Sequence, residues 1–354
     1  MTADVAVVGA GVVGASVAYH LARQGAAVTL VDRAASPAAG VTGASFAWIG
    51  ECGGDWPGGA EDLRGSVLAD YGRLEAEVPG VAVRRTGSLA WTSTSVRLGE
   101  DAAGPGPGQH WVGRAEIAAL EPNLRTPPER AVYTPTDAGV DPVRLTEALV
   151  RAAQALGARV VLDSAVTSLR VVGGRVTGVV TATGFRPAST VVLAAGTDVV
   201  ALCEPLGLSV PVAASPALLI RAATPPGLVK TILAGPEFEA REVRDGQVLM
   251  AAHLDGRSDA ALARFAEHAV ERLRSAFHDA GPVQLLGHRV GRRPVPAGGP
   301  IIGHLTPDRS VYLAVTHSAV TLAPTVGRLV ARELVTGEPA DELSRCRPSG
   351  VHGR

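Results

Sequence analysis

Apolar and polar positions change period several times in the first thirty-three residues. Val5, Val7 and Val8 form a short β-branched run that is too apolar for an exposed edge and predicts a buried parallel strand. From Val12 to Arg23 the apolar residues Val13, Val17, Leu21 and Ala22 recur at helical intervals, and Gly25 ends that pattern. "AVTLVD" then predicts a second strand closing on Asp32. Further along, a helix is expected over Leu63 to Glu77, followed by alternation in "VAVRRTGSLAWTST" that reads as antiparallel strands. "GEDAAGPGPGQH" (99–110) reads as a surface loop, and "WVGRAEIAALEP" as a short helix stopped by Pro122. "GVDPVRLTEALVRAAQALGA" opens on Asp-Pro and carries a Leu145, Leu149, Ala152, Leu156 stripe, the pattern of an amphipathic helix.

The next segment, from Arg159, reads as strands around a Gly-Gly hairpin. "STVVLAAGTDVVALCEPLG" is a buried strand running into glycine and a helix. Residues 211–285 return to antiparallel patterning, with a helix near Ser258–Phe277. "VYLAVTH" is a last strand, and a helix follows over Leu322 to Thr336 with Pro324 in its first turn. The α/β pieces 1–50, 138–205 and 286–345 are thus interrupted by sheet-like segments 51–137 and 206–285, leaving 346–354 as a tail. The expected fold is an α/β (α+β composite) one: a discontinuous Rossmann-like domain into which an antiparallel-sheet domain is inserted.

The junction of the first strand and helix carries chemistry. Gly9, Gly11 and Gly14 keep the G-x-G-x-x-G spacing. The first glycine permits the tight turn, the second lets backbone approach a pyrophosphate, and the third lets helix pack on strand. The helix N-terminus at Val12 and Val13 offers unpaired N–H groups to a diphosphate. Asp32, at the end of the second strand, can accept hydrogen bonds from both ribose hydroxyls. Arg33 beside it is expected to be solvated or to cover the adenine, since Asp32 would repel a 2′-phosphate. Together these features predict an adenine dinucleotide.

Composition narrows the partners. With a net charge of −1 there is no electrostatic case for nucleic acid or an anionic membrane surface. Three widely spaced cysteines, Cys52, Cys203 and Cys346, suggest reduced thiols in a cytoplasmic protein, with no metal cluster. The first strand starts too early to leave room for a signal peptide, and no apolar run is long enough for a membrane span.

The order of motifs along nearly the whole chain resembles the D-amino-acid oxidase-type (DAO) family of FAD-dependent oxidoreductases, which includes glycine oxidase, sarcosine oxidase and D-amino-acid dehydrogenases. The resemblance is carried by the glycines at 9–14, "TGASFAWI" (42–49), "DAGVDPVRLTEAL" (137–149), "VVLAAG" (191–196), "RRPVPAGGPIIG" (292–303) and "HSAVTLAPTVGRLV" (317–330). It implies non-covalent FAD, with adenine at the backbone of Val166, and Ala195 and Gly196 bordering the cofactor. Thr42, Gly43, Ala44 and Ser45 are expected to run past the pyrophosphate and isoalloxazine. Ser318, Ala319, Val320 and Thr321 are expected at a helix N-terminus aimed at the flavin, which stabilises negative charge by about 0.3–2 kcal/mol. Ala319 stands where the family usually has glycine.

For catalysis the resemblance implies hydride transfer from a carbon bearing a neutral amine, giving an imine that hydrolyses. The substrate is an amino acid or related secondary amine, and the electron acceptor is O2 or a quinone or other carrier. Arg293, in "RP", is the expected carboxylate anchor, an arginine fork suited to that geometry. His317 stands where glycine oxidase-like members carry a second arginine. Trp48 and Glu51 are expected at the substrate cavity, and His253 matches an active-site histidine of sarcosine oxidase-like members. Leu249 replaces the lysine that activates oxygen there, which argues for a dehydrogenase or a slow oxidase. The alternatives are a flavin-binding subunit of a hetero-oligomeric dehydrogenase and an enzyme for a specialised biosynthetic amine without a free carboxylate. A homo-oligomer or a partner subunit both remain open.

Overall fold

The computed structural model describes residues 3–51, 57–92, 105–254, 259–348 and 352–353. Cys52 and the first half of the predicted loop at 99–110 lie outside them. A six-stranded sheet runs in the order Ile301–His304, Val311–Val315, Thr190–Leu193, Asp4–Val8, Ala27–Val31, Arg159–Val161. Its neighbours are parallel except for the first pair. Strand alternation explains the unbroken apolar run at 5–8. Val5 and Val7 enter the core shared with the helices, while Ala6 and Val8 enter a second core on the opposite face.

The first helix, Val12–Arg23, is buried from Val12 to Ala22 instead of along one stripe. It is packed between the helices Pro142–Ala155 and Ala319–Thr336. Close approach to the latter depends on Gly327, where a Cβ would fall 2.2 Å from Ser16 Oγ. The Ser16 hydroxyl donates to the Ala323 carbonyl at 2.7 Å.

Several expected boundaries move. The C-terminal helix starts at Ala319, so Pro324 is its sixth residue and not in the first turn. Proline has no N–H to give the carbonyl four residues back. That carbonyl, of Val320, instead accepts the hydroxyl of buried Tyr71 at 2.5 Å. The helix expected over 63–77 is broken into Ala60–Arg64 and Val67–Glu77. In the helix Pro142–Ala155, Asp141 caps the N–H groups of Val143 and Arg144, while Leu156, expected on the buried stripe, is 49% exposed past its end. Cys346, placed in the tail by sequence, is buried in the main core.

An eight-stranded sheet runs Gln284–Pro296, Val212–Ala223, Gln247–His253, Glu239–Arg244, Ile232–Ala234, Ser88–Ala90, Arg130–Thr134, His110–Gly113. Only the pairing of 232–234 with 88–90 is parallel. Residues 286–296, grouped by sequence with the nucleotide-binding segments, lie here as part of its edge strand. Helix Asp259–Ala276 packs on one face, where Leu218, Ile220 and Met250 meet Leu262, Ala266 and Leu273. The other face turns toward the segment 39–47. A small sheet of Trp48–Ile49, Ala138–Val140 and Val83–Arg85 lies between the two large ones in sequence and joins their segments. No helix among the described residues is long and apolar enough to cross a membrane.

Candidate cofactor cleft and adjoining site

A cavity of about 470 Å³ opens at the carboxyl ends of the strands Asp4–Val8, Ala27–Val31 and Thr190–Leu193. That is the edge at which an open α/β sheet receives its ligand. Gly9 adopts φ +108°, and a Cβ there would lie 2.6 Å from the Ala194 carbonyl oxygen. At Gly14 a Cβ would lie 1.8 Å from the Gly9 carbonyl oxygen, so the third glycine serves helix-to-turn packing and does not line the cavity. Gly11, Val12 and Val13 do line it. The first backbone bond within the helix joins Ala15 to Gly11, which leaves the preceding N–H groups at its positive end. Val12 N–H donates to Thr42 Oγ1 at 3.2 Å, placing that hydroxyl on the cavity wall.

Asp32 is held rigidly. Its two carboxylate oxygens accept the N–H groups of Ala10 at 2.6 Å and Ala34 at 2.8 Å. Arg33, Val166, Ala195, Gly196 and Ala319 also line the cavity. Ser318, at φ +54°, precedes the helix, but Ser318, Val320 and Thr321 stand off the cavity wall. Thr321 donates its hydroxyl to the Trp48 carbonyl at 2.8 Å.

Gly43, Ala44 and Ser45 also lie off the wall, whose residues here are Ala39, Gly40, Val41 and Thr42. The reason is packing against the eight-stranded sheet. Arg221 donates to the Gly43 carbonyl at 3.2 Å, Gly291 faces Ala44 so closely that a Cβ there would lie 3.0 Å from the Ala44 Cβ, and Arg289 donates to the Ala39 carbonyl. Arg241, only 1% exposed, donates to the carbonyls of Phe46 and Val140, each at 2.6 Å. Burial pulls its guanidinium down to about 9 despite nearby Asp141. Cross-strand register puts Arg241, Leu249 and Arg221 in one row on one face, with Leu219 and Arg289 in a neighbouring row. Leu249 packs with Leu219, Val243 and Phe46. No local spacing rule links these arginines to carbonyls so far away in sequence.

The expected substrate residues divide. Arg293 is half-buried, and its Nη2 donates to Ser215 Oγ at 3.0 Å. Its neighbour Pro294 lines the cavity, as do Thr316 and Ala319 on either side of the His317–Ser318 turn. His317 is exposed there but crowded; that crowding first, and then the Arg293 charge, lower its imidazole below the usual histidine value. Trp48 Nε1 donates to Asp137 Oδ2 at 2.8 Å, and Ser88 donates to the same oxygen at 2.7 Å. Burial raises the Asp137 carboxyl above its ordinary range. Glu51 is committed elsewhere: Oε1 accepts the Leu68 N–H at 3.3 Å, at the start of a helix. The backbone of His253 pairs with Ala217, while its side chain lies outside the described atoms.

The glycine turn, the open helix N-terminus and the fixed Asp32 carboxylate fit the diphosphate and ribose of a dinucleotide. Residues 4–333 match the DAO family of FAD dependent oxidoreductases, and the chain belongs to that family; its cofactor is FAD. Among the relatives, glycine oxidase of Pseudomonas aeruginosa is 29% identical over 99% of this chain and 100% of its own length. Glycine oxidase of Bacillus licheniformis is 32% identical over 58% of this chain, a match spanning just 57% of that enzyme. In solved structures, iminodiacetate oxidase from Chelativorans sp. BNC1 superposes with a TM-score of 0.80 at 27% identity, covering 97% of this chain and 98% of the other.

Proposed function

We propose that this FAD-dependent oxidoreductase oxidises the C–N bond of an amino acid or related secondary amine. The observation that carries the reading is that two basic side chains adjoin the cavity wall, Arg293 next to Pro294 and His317 next to Thr316, with the Arg293 guanidinium oriented by Ser215. Bound FAD supplies the hydride acceptor, flavin N5, and the substrate leaves as an imine that water hydrolyses. The protein's part is orientation. Fixing the substrate C–H against its acceptor contributes on the order of 7–11 kcal/mol. Arg293 receives the carboxylate with its fork, already aimed by Ser215, and the uncharged His317 completes the site through a hydrogen bond. Asp32, Thr42 and the turn at Gly9–Val13 hold the cofactor, which is non-covalent, and Val166 borders its adenine. The start of the C-terminal helix faces the flavin, and Trp48 forms part of the substrate wall.

Apolar Leu249, packed on Phe46, puts no cation at the position where oxygen-activating relatives are expected to carry lysine. That favours reoxidation by a carrier such as a quinone over rapid reaction with O2.

Anaerobic addition of amines and amino acids to the purified holoenzyme tests the reading through bleaching of the oxidised flavin spectrum. One class of amine should bleach it, and readmitted air should restore the colour slowly. Arg293→Leu should raise KM for a carboxylate substrate by the equivalent of about 1.5–3 kcal/mol while the flavin spectrum stays unchanged. A holoenzyme that no amine reduces would overturn amine oxidation. An unchanged KM in Arg293→Leu would remove the carboxylate anchor alone.

A further inference from the structure

One ion pair crosses the cofactor crevice. In the six-stranded sheet the strands Thr190–Leu193 and Ala27–Val31 flank Asp4–Val8 on opposite sides, so their carboxyl ends stand about 10 Å apart. Arg33 follows the second of these strands, and Asp198 closes the turn Gly196–Asp198 that follows the first. Arg33 Nη1 and Asp198 Oδ2 nevertheless meet at 2.9 Å. Both residues line the same cavity as Asp32. With them, Ala34, Val166, Thr167 and Leu202 make that end a mostly apolar slot with a charged rim, beside the carboxylate suited to ribose. The two side chains are 68% and 44% exposed, so the fold itself gains little from joining them.

We infer that Arg33 and Asp198 form a strap over the adenosine half of bound FAD, a contact that must open before the adenosine can leave. The inference rests on FAD lying in this crevice with its ribose at Asp32. Two properties follow. The strap acts on release of the cofactor and not on the chemistry at the flavin. Being exposed, it is weakened by salt, which screens such pairs within about a Debye length.

The test follows FAD release from holoenzyme by the recovery of free-flavin fluorescence. Exposed ion pairs shift equilibria about two- to five-fold, so Asp198→Asn should release FAD faster by that factor at low salt. Wild-type release should accelerate toward the variant's rate as salt rises, while the variant responds little. The charge swap Arg33→Glu with Asp198→Arg should recover much of the wild-type rate. FMN, which lacks adenosine, should leave wild type and Asp198→Asn at equal rates, and the apoprotein's melting temperature should not move. Unchanged FAD release in Asp198→Asn, or equal acceleration of FMN, would overturn the strap and leave the cofactor assignment standing. A wild-type protein that retains no FAD after reconstitution would overturn both.

Discussion

The crevice of the six-stranded sheet and the arginine-bearing face of the eight-stranded sheet border the same segment, residues 39–47, by opposite means. The crevice is built of backbone: glycine turns, helix N–H groups, and one carboxylate held by two N–H donors. The facing sheet is built of long side chains, with Arg241, Arg221 and Arg289 donating to main-chain carbonyls of that segment. A backbone-built site tolerates no added atoms, whereas a side-chain-built site fails when a donor is lost. The same segment therefore has a steric weakness on one side and a hydrogen-bonding weakness on the other.

Arg241→Met should break the comparison most severely. Its similar bulk fills the space, but the Phe46 and Val140 carbonyls lose their buried donor. Stability should fall by about 2–5 kcal/mol, read by denaturant unfolding of the apoprotein. Full stability in that variant would mean that the sheet merely abuts the segment. Gly14→Ala acts on the other side and should cost about 1–3 kcal/mol through overpacking against the Gly9 carbonyl. Its larger readout is FAD affinity, because the displaced turn is the one that meets the diphosphate. An Arg241→Met protein that still retains FAD beside a Gly14→Ala protein that does not would sharpen the contrast between holding the segment and holding the ligand.

The smallest effect is a pH dependence at His317. Its folded-state value lies below the ordinary histidine value, so the native protein binds this proton less readily than the unfolded chain. The neutral form's contribution to stability is therefore present above about pH 6.5 and is lost as pH falls below that value. The same protonation adds a second positive charge beside Arg293. A simple carboxylate inhibitor carrying no amine should bind about two- to five-fold more tightly as His317 protonates. Titration of the flavin spectrum with such an inhibitor at several pH values reads this, and His317→Gln should flatten the profile. A profile unchanged in that variant would remove His317 from the carboxylate site.

Much of the crevice was legible because its chemistry requires short, ordered spacing. Three glycines, a helix start and an acid at a strand end are adjacent in the chain for the same reason that they are adjacent in space. Ala39, Gly40 and Val41 were harder to read, since small residues are common in loops, and only the contact of Gly43 and Ala44 with the other sheet turns the loop's earlier part toward the cavity. Pro324 misled the helix boundary because Tyr71, far away in sequence, supplies the hydrogen bond that proline cannot. Glu51 looked available for substrate, but its bond to the Leu68 N–H exists only once the following helix is docked.

By itself, then, the sequence determined a nucleotide crevice, its cofactor family and the alternation of parallel and antiparallel segments. Those properties follow from local periodicity and from backbone positions that admit glycine alone. Tertiary structure decided which carbonyls the arginines of the antiparallel sheet hold, which residues of the 39–47 segment face the cavity, and that Arg33 reaches Asp198 across the first strand. These are contacts between side chains and partners brought near by strand order, and strand order is set by packing of the whole chain.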